Sequence, residues 1–194
     1  MGSRWEDGTG GPDPQYGGVA LLASAEGGRY PAADSLLVSG TEGTVLVDPS
    51  LEAGRRGGLH ADVGLVVLTH AHEDHVAGLH VFPEVPVVAR PAEVAAVRDP
   101  ETLLAGFGMA AADADVVRRQ LHETFGPTGH ERAGSVDDGA VLDLGRRSGT
   151  VLHLPGHTAG HCGLLVEPDG FGVPRGHRPD VLRSLLRRPL QQPR

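Results

Sequence analysis

Short apolar runs recur along the chain and are separated by segments rich in glycine, proline and aspartate. Runs of this length, bounded by turn residues, are typical of β-strands. The pattern predicts strands over residues 18–23, 36–39, 44–47, 65–68, 85–89, 140–144, 150–154 and 163–166. The run at 65–68 is apolar throughout, which indicates a strand that is buried on both faces.

Other segments carry apolar residues at helical spacing. Residues 73–80 predict a short helix, and residues 91–97 predict another with Pro91 in its first position. Residues 100–125 predict one or two amphipathic helices. Because strands and helices alternate along the chain, the predicted fold class is α/β.

A cluster of potential metal ligands follows the buried strand at 65–68. His70 and His72 lie two positions apart in an extended segment, so both imidazoles project to the same side and can reach one ion. Asp74 and His75 follow at the turn into a helix and can face a second metal position. Imidazole and carboxylate ligands suit zinc, and also iron or manganese. A His-rich surface loop is the alternative, but the carboxyl end of a buried strand favours a metal site.

A second histidine motif follows the strand predicted at 150–154, where the sequence reads Pro155-Gly156-His157-Thr158-Ala159-Gly160-His161. Alone, a histidine in a glycine-rich loop is more typical of a solvated side chain. A zinc ion with two imidazoles needs a third protein ligand and an open position, and the second motif supplies a candidate. We predict that His157 is this ligand and that His161 hydrogen-bonds locally.

With Asp48, which ends an earlier strand, the two motifs resemble those of the metallo-β-lactamase superfamily over about residues 17–170. The resemblance implies a four-layer αββα sandwich with the metals at one edge of two facing sheets. It implies that His70, His72 and His157 hold a first ion, and that Asp74 and His75 contribute to a second.

The same resemblance implies a reaction. A metal-bound hydroxide would be the nucleophile. The second metal, or an acidic ligand such as Asp74 acting as the catalytic carboxylate, would orient this hydroxide and help with proton transfer. The Gly-His-Thr-Ala-Gly-His stretch is most similar to the glyoxalase II-like and lactonase-like branches. The implied reaction is hydrolysis of a small ester, thioester or lactone, with one or two zinc ions as cofactor.

Two ligands of the family pattern have no clear counterpart after residue 170. The family places an apolar strand there, ending in an aspartate that bridges both metals, whereas we predict no strand before Asp180. Asp169 is interpreted as a turn residue, and His177 is the remaining candidate for a final histidine. The C-terminal half of the fold is therefore predicted to be incomplete. The site is expected to be mononuclear, weakly active, or completed by a partner subunit.

The composition changes in the tail, where residues 175–194 contain six of the 17 basic residues, all of them arginine. A truncated chain with a frame-shifted or unrelated tail is one hypothesis, and a basic amphipathic helix over residues 181–188 is the other. We divide the chain into a flexible leader (1–15), a metallo-β-lactamase-like domain (16–174) and an Arg- and Pro-rich tail (175–194).

The composition of the chain limits the kinds of partner that we expect it to bind. A hydrophobic fraction of 39% predicts a globular core, and a formal charge of −8 disfavours nucleic acid. The sequence has no apolar run long enough to span a bilayer. Its one cysteine, Cys162, is expected to be a small core residue. We therefore expect a small-molecule substrate, no nucleic-acid or membrane partner, a cytoplasmic location and possible homo-oligomers.

Three functions remain open at this stage. The first is the metal-dependent hydrolase. The second is an iron-dependent persulfide oxygenase of the same fold, which uses similar ligands. The third, which the missing ligands favour, is a metal-binding protein that has lost catalysis.

Overall fold

The computed structural model describes residues 13–56, 58–126 and 129–173. Its larger sheet has seven strands that lie side by side in chain order. The strands are β1 Gln15–Tyr16, β2 Val19–Leu22, β3 Ser35–Ser39, β4 Thr44–Val47, β5 Leu65–Val67, β6 Val87–Ala89 and β7 Gly134–Ser135. Pairing is antiparallel from β1 to β4 and parallel from β4 to β7.

The smaller sheet has four antiparallel strands in the order β11-β10-β9-β8. They are β8 Val141–Asp143, β9 Ser148–His153, β10 Cys162–Glu167 and β11 Phe171–Val173. The helices are α1 Leu51–Arg55, α2 Glu73–Val76, α3 Val94–Arg98, α4 Pro100–Gly106 and α5 Ala111–Phe125.

Alternation along the strands divides the core into two layers. Val45 and Val47 of β4 contribute to the cluster that also contains Val151 and Leu164 of the smaller sheet. Leu46, between them, faces the opposite cluster, beneath the helices. Neighbouring strand side chains point to opposite faces, so one apolar run contributes to both layers. Burial of each such Val or Leu side chain contributes about 1.5–3 kcal/mol to the hydrophobic driving force.

Of the five α-helices of the described residues, α1, α2 and α3 pack on one face of the larger sheet, and α4 and α5 contribute to a separate cluster of helix and loop residues that also includes Leu51 of α1. None of them contributes to the cluster between the two sheets. The described part of the chain therefore supplies one helical layer and two facing sheets of the predicted sandwich. No helix in this part is long and apolar enough to cross a membrane.

Several predicted boundaries were wrong. The helix predicted to begin at Pro91 begins at Val94, and the proline in a first helical turn is instead Pro100 of α4. We predicted no strand after residue 170, but β11 pairs with β10 from Val166 to Leu164. Three residues between a glycine and a proline are too short to show a period, so the partner strand determines this one.

The predicted leader also extends too far. Gln15 and Tyr16 form β1, which pairs with Val19 and Ala20 of β2. Asp13 is buried, and its carboxylate forms an ion pair with Arg56. Residues 13–15 therefore belong with the larger sheet. The tail at 175–194, with Asp180 and His177, lies outside the described residues.

Asp169 joins the two sheets. It lies in the turn between β10 and β11, and its Oδ2 accepts hydrogen bonds from Arg147 Nε (2.7 Å) and from the backbone N–H of Gly18 (3.2 Å). Arg147 also donates to the carbonyl oxygen of Ser39 at the end of β3. This turn residue thus connects the smaller sheet to β2 and β3.

Candidate metal centre

Two loops meet at one edge of the sheets. The first follows β5 and carries His70 and His72, and the second follows β9 and carries His157. The backbone N–H of Cys162, at the start of β10, donates to the carbonyl oxygen of Thr69 at 2.9 Å. This hydrogen bond holds the end of β5 against the start of β10 and so brings the two loops together.

His70, His72 and His157 form a compact group. Each offers one ring nitrogen, and the three nitrogens lie within 4.8 Å of one another. The ring centroids of His70 and His72 lie 4.7 Å apart, and that of His157 lies 4.7 Å from the first and 4.6 Å from the second. His70 and His72 thus project to the same side of the loop, as predicted. Three imidazoles facing one point are a ligand set typical of zinc.

Two features of His70 suit it to bind a metal ion: its neutral ring, and a buried ring nitrogen with no hydrogen-bond partner among the described residues. Its Nδ1 lies 3.0 Å from Thr69 Oγ1, and that hydroxyl donates in turn to Asp48. Its Nε2 is buried and has no hydrogen-bond partner among the described residues. Burial lowers the pKa of His70 to about 2, which keeps the imidazole neutral near pH 7. A neutral ring with Nδ1 engaged leaves a lone pair on Nε2, which a cation would satisfy.

Asp48 is a buried hydrogen-bond acceptor for the loop that carries His70 and His72. Its side chain accepts from the N–H of Thr69 (2.7 Å), the Thr69 hydroxyl (2.6 Å) and His75 Nδ1 (2.9 Å). Burial alone would raise the pKa of this carboxyl, but the neighbouring charge and hydrogen bond of His75 outweigh it and hold the pKa below its usual value. Asp48 also has a φ of +53°, in the left-handed region that aspartate tolerates better than most residues.

Asp74 and His75, the predicted ligands of a second ion, lie beside the triad. The His75 ring centroid is 4.1 Å from that of His70, and His75 Nε2 is 3.7 Å from Asp74 Oδ2. Burial, with the nearby charge of Glu73, raises the pKa of Asp74. Asp74 and His75 thus adjoin the first position, and their binding of a second ion stays a prediction.

Glu93 is the residue of this site that the sequence did not single out. It follows the carboxyl end of β6, the strand beside β5, and its side chain is 6% exposed. One oxygen accepts from the N–H of Ala71, and the other accepts from the Thr158 hydroxyl and the N–H of Gly160. An acidic residue just beyond a neighbouring parallel strand was the available signal, but its position in a predicted helix concealed it.

Two nearby residues have structural roles. His161 Nδ1 lies 3.0 Å from the carbonyl oxygen of Leu154, which is the local hydrogen bond the sequence suggested. Cys162 is buried in the core between the sheets, and burial raises the pKa of its thiol to about 12. A thiol that resists ionisation is poorly suited to bind a metal, so the interpretation of Cys162 as a core residue is confirmed.

The sequence matches the metallo-beta-lactamase superfamily over residues 29–171. The matched stretch is most of the chain and contains both histidine loops. The chain therefore belongs to this superfamily, and the resemblance noted from the two motifs is confirmed.

The curated relatives it is similar to include acyl-coenzyme A thioesterases. The chicken (Gallus gallus) acyl-coenzyme A thioesterase MBLAC2 is 38% identical over 106 residues, and the human (Homo sapiens) protein of that name is 35% identical over 100 residues. Each match covers 50% of this chain but only 35% and 34% of the respective relative. The chain thus aligns with about a third of the length of these relatives.

Solved structures support the fold. A B3 metallo-beta-lactamase with an active-site glutamic acid has a TM-score of 0.56 at 22% identity, covering 79% of this chain and 56% of that one. A metallo-beta-lactamase from Cronobacter sakazakii has a TM-score of 0.55 at 20% identity, covering 82% of this chain and 61% of that one. At these identities the likeness establishes the arrangement of the sheets and helices alone.

Proposed function

We propose that the chain is a metal-dependent hydrolase that cleaves thioesters whose acyl groups are short to medium in length. The observation that carries the proposal is the triad of His70, His72 and His157, held with a neutral, buried ligand nitrogen. The acyl-coenzyme A thioesterases among its relatives favour a thioester over the ester and lactone alternatives.

The triad would hold a transition-metal ion, which supplies Lewis acidity to activate water and to polarise the thioester carbonyl. The remaining chemistry belongs to the chain. Asp74 lies at the edge of the triad with a raised pKa, so it is suited to hold and pass on a proton. Phe107, at the end of α4, lies near His72, with ring centroids 6.3 Å apart, and would present an apolar surface to a bound substrate.

An apolar cavity of about 210 Å³ begins beside the first ligand loop. Glu73, which follows His72 directly, lines one side of it. The rest of its lining comes mostly from α2 to α5 and is mainly aliphatic, and Glu101, Arg118 and His122 also line it. The aliphatic members include Val76, Ala96, Leu103, Leu104 and Leu121. We assign this cavity to the acyl group of the thioester, since an aliphatic chain gains about 0.8 kcal/mol for each CH₂ that it buries.

The proposed reaction is tested by hydrolysis assays on the full chain. We expect zinc-dependent release of thiol from acyl-coenzyme A, detected with a chromogenic thiol reagent, and lower rates on matched oxygen esters and lactones. Chelation should abolish the release, and added zinc should restore it. A zinc-loaded protein that cleaves none of the thioesters would refute the proposal, and oxygen consumption with a persulfide would favour the oxygenase.

The acyl cavity predicts a dependence on chain length. Ala96→Leu would place three more carbons in the cavity, so we expect kcat/KM for medium-chain thioesters to fall about tenfold while acetyl thioesters are little affected. Ala95→Leu is the matched control, because Ala95 is exposed on the same helix and does not line the cavity. Equal losses of kcat/KM for medium-chain and acetyl thioesters in Ala96→Leu would contradict the assignment.

A further inference from the structure

Both ligand loops donate hydrogen bonds to one buried side chain, that of Glu93. Glu93 Oε2 accepts from the N–H of Ala71 at 3.0 Å, and Ala71 lies between ligands His70 and His72. Glu93 Oε1 accepts from Thr158 Oγ1 at 2.7 Å, and Thr158 follows ligand His157 directly. A single carboxyl group thus contacts a neighbour of every ligand in the triad.

The contact on the second loop is close. Glu93 Oε1 also accepts from the N–H of Gly160 at 2.8 Å. A Cβ atom at Gly160 would lie 2.6 Å from both Cγ and Oε1 of Glu93, which is far inside a normal contact distance. The glycine therefore lets the loop approach the carboxyl group to hydrogen-bonding distance.

Three hydrogen bonds account for the burial of this carboxyl group. Its two oxygens accept three hydrogen bonds, two from backbone N–H groups and one from a hydroxyl. An interaction of this kind satisfies polar groups of loops that carry no regular secondary structure. It also fixes the separation of two distant loops. The first contacts Glu93 from 22 residues earlier in the sequence, and the second from 65 to 67 residues later.

We propose that Glu93 is a positioning residue that sets the spacing between the two ligand loops and thereby the affinity of the site for its metal ion. Groups that orient metal ligands without touching the metal typically change affinity 10- to 100-fold when they are removed. The inference rests on the metal site of the proposed function but does not depend on the substrate or on turnover.

The test measures zinc affinity of the full chain by competition with a chromophoric chelator, well below the unfolding temperature. We expect Glu93→Ala to raise the Kd for zinc about 10- to 100-fold. Glu93→Gln should give a smaller rise, because its amide oxygen can still accept from Thr158 and Gly160 while its NH₂ group cannot accept from Ala71. Glu123→Ala, an exposed glutamate on α5, is the control and should bind zinc as the wild type does.

Gly160→Ala approaches the same contact from the other loop and keeps the carboxyl group. Its Cβ should displace Glu93 from the second loop, so the Kd for zinc should again rise. Thermal unfolding of the metal-free and zinc-loaded proteins separates positioning from stability. Positioning predicts a smaller zinc-induced rise in Tm for the variants, whereas a purely structural role predicts equal losses in both forms and an unchanged Kd.

The outcomes are distinguishable. If the wild type does not bind zinc, the metal site itself is refuted, and the role of Glu93 with it. If the wild type binds zinc and Glu93→Ala and Gly160→Ala bind it equally tightly, the positioning role alone is overturned. If zinc affinity is lost as expected but no thioester is cleaved, the positioning role stands and the proposed reaction fails.

Discussion

Replacement of His157 by alanine should weaken zinc binding by more than about 100-fold, because loss of a direct ligand exceeds the usual effect of losing a supporting group. Two imidazoles would remain, both on the first loop, and the second loop would have lost its member of the triad. Any thioester hydrolysis should fall with the metal, by about 10³-fold or more. His157 is exposed, so the free energy of unfolding of the metal-free chain should change by less than about 0.5 kcal/mol.

His60→Ala is the matched control for this experiment. His60 is also exposed, but it precedes β5 and so lies towards the amino end of the strand whose carboxyl end leads to His70. The control should keep the zinc affinity of the wild type, measured by the same chelator competition. Wild-type affinity in His157→Ala would mean that the two loops do not share one ion.

Replacement of Asp48 by alanine should lower the free energy of unfolding of the metal-free chain by about 3–5 kcal/mol. The substitution would leave the Thr69 N–H and hydroxyl and His75 Nδ1 without their buried acceptor. Alanine also tolerates the φ of +53° poorly, and this adds about 1 kcal/mol. Urea unfolding followed by circular dichroism measures the loss.

Asp48→Asn keeps the size of the side chain and tolerates the left-handed backbone, so it should lose less and remain folded for measurement. Asp113→Ala, an exposed aspartate at the start of α5, is the control and should change the free energy by less than about 1 kcal/mol. Equal stabilities of Asp48→Ala and the control would contradict the supporting role of Asp48.

The lowered pKa of Asp48 gives this contribution a pH dependence. A carboxyl whose pKa is lower in the folded chain than its ordinary 3.8 stabilises the fold fully above that value. The contribution is lost as the pH falls through 3.8 towards the folded pKa. Asp48→Asn should therefore flatten the loss of stability of the metal-free chain in this acidic window.

The centre of the fold could be predicted because its strands are continuous apolar runs. Thr44–Val47 was predicted with its observed bounds, and the run at 65–68 ends at the observed ligand loop. Both histidine motifs follow strands, so the sequence also gave a reason to expect them at one edge. The metal triad of His70, His72 and His157 could be assembled from that reasoning and the family resemblance.

Other features depend on contacts that leave no local pattern. Strands β7 and β11 are two and three residues long, and each is defined only by its hydrogen bonds to a longer neighbour. Glu93 belongs to the site because β6 lies beside β5 and the second loop folds back over it. No spacing in the sequence shows that three hydrogen bonds converge on this carboxyl group.

If the histidines of two distant loops form one metal centre, the full chain should retain a metal ion that depends on both loops, and metal analysis measures this. The protein would be loaded with zinc, dialysed extensively and analysed by inductively coupled plasma mass spectrometry beside His157→Ala. We expect at least one retained zinc ion per wild-type chain and its loss from the variant. A folded wild-type chain that retains no zinc after such loading would contradict a shared metal centre.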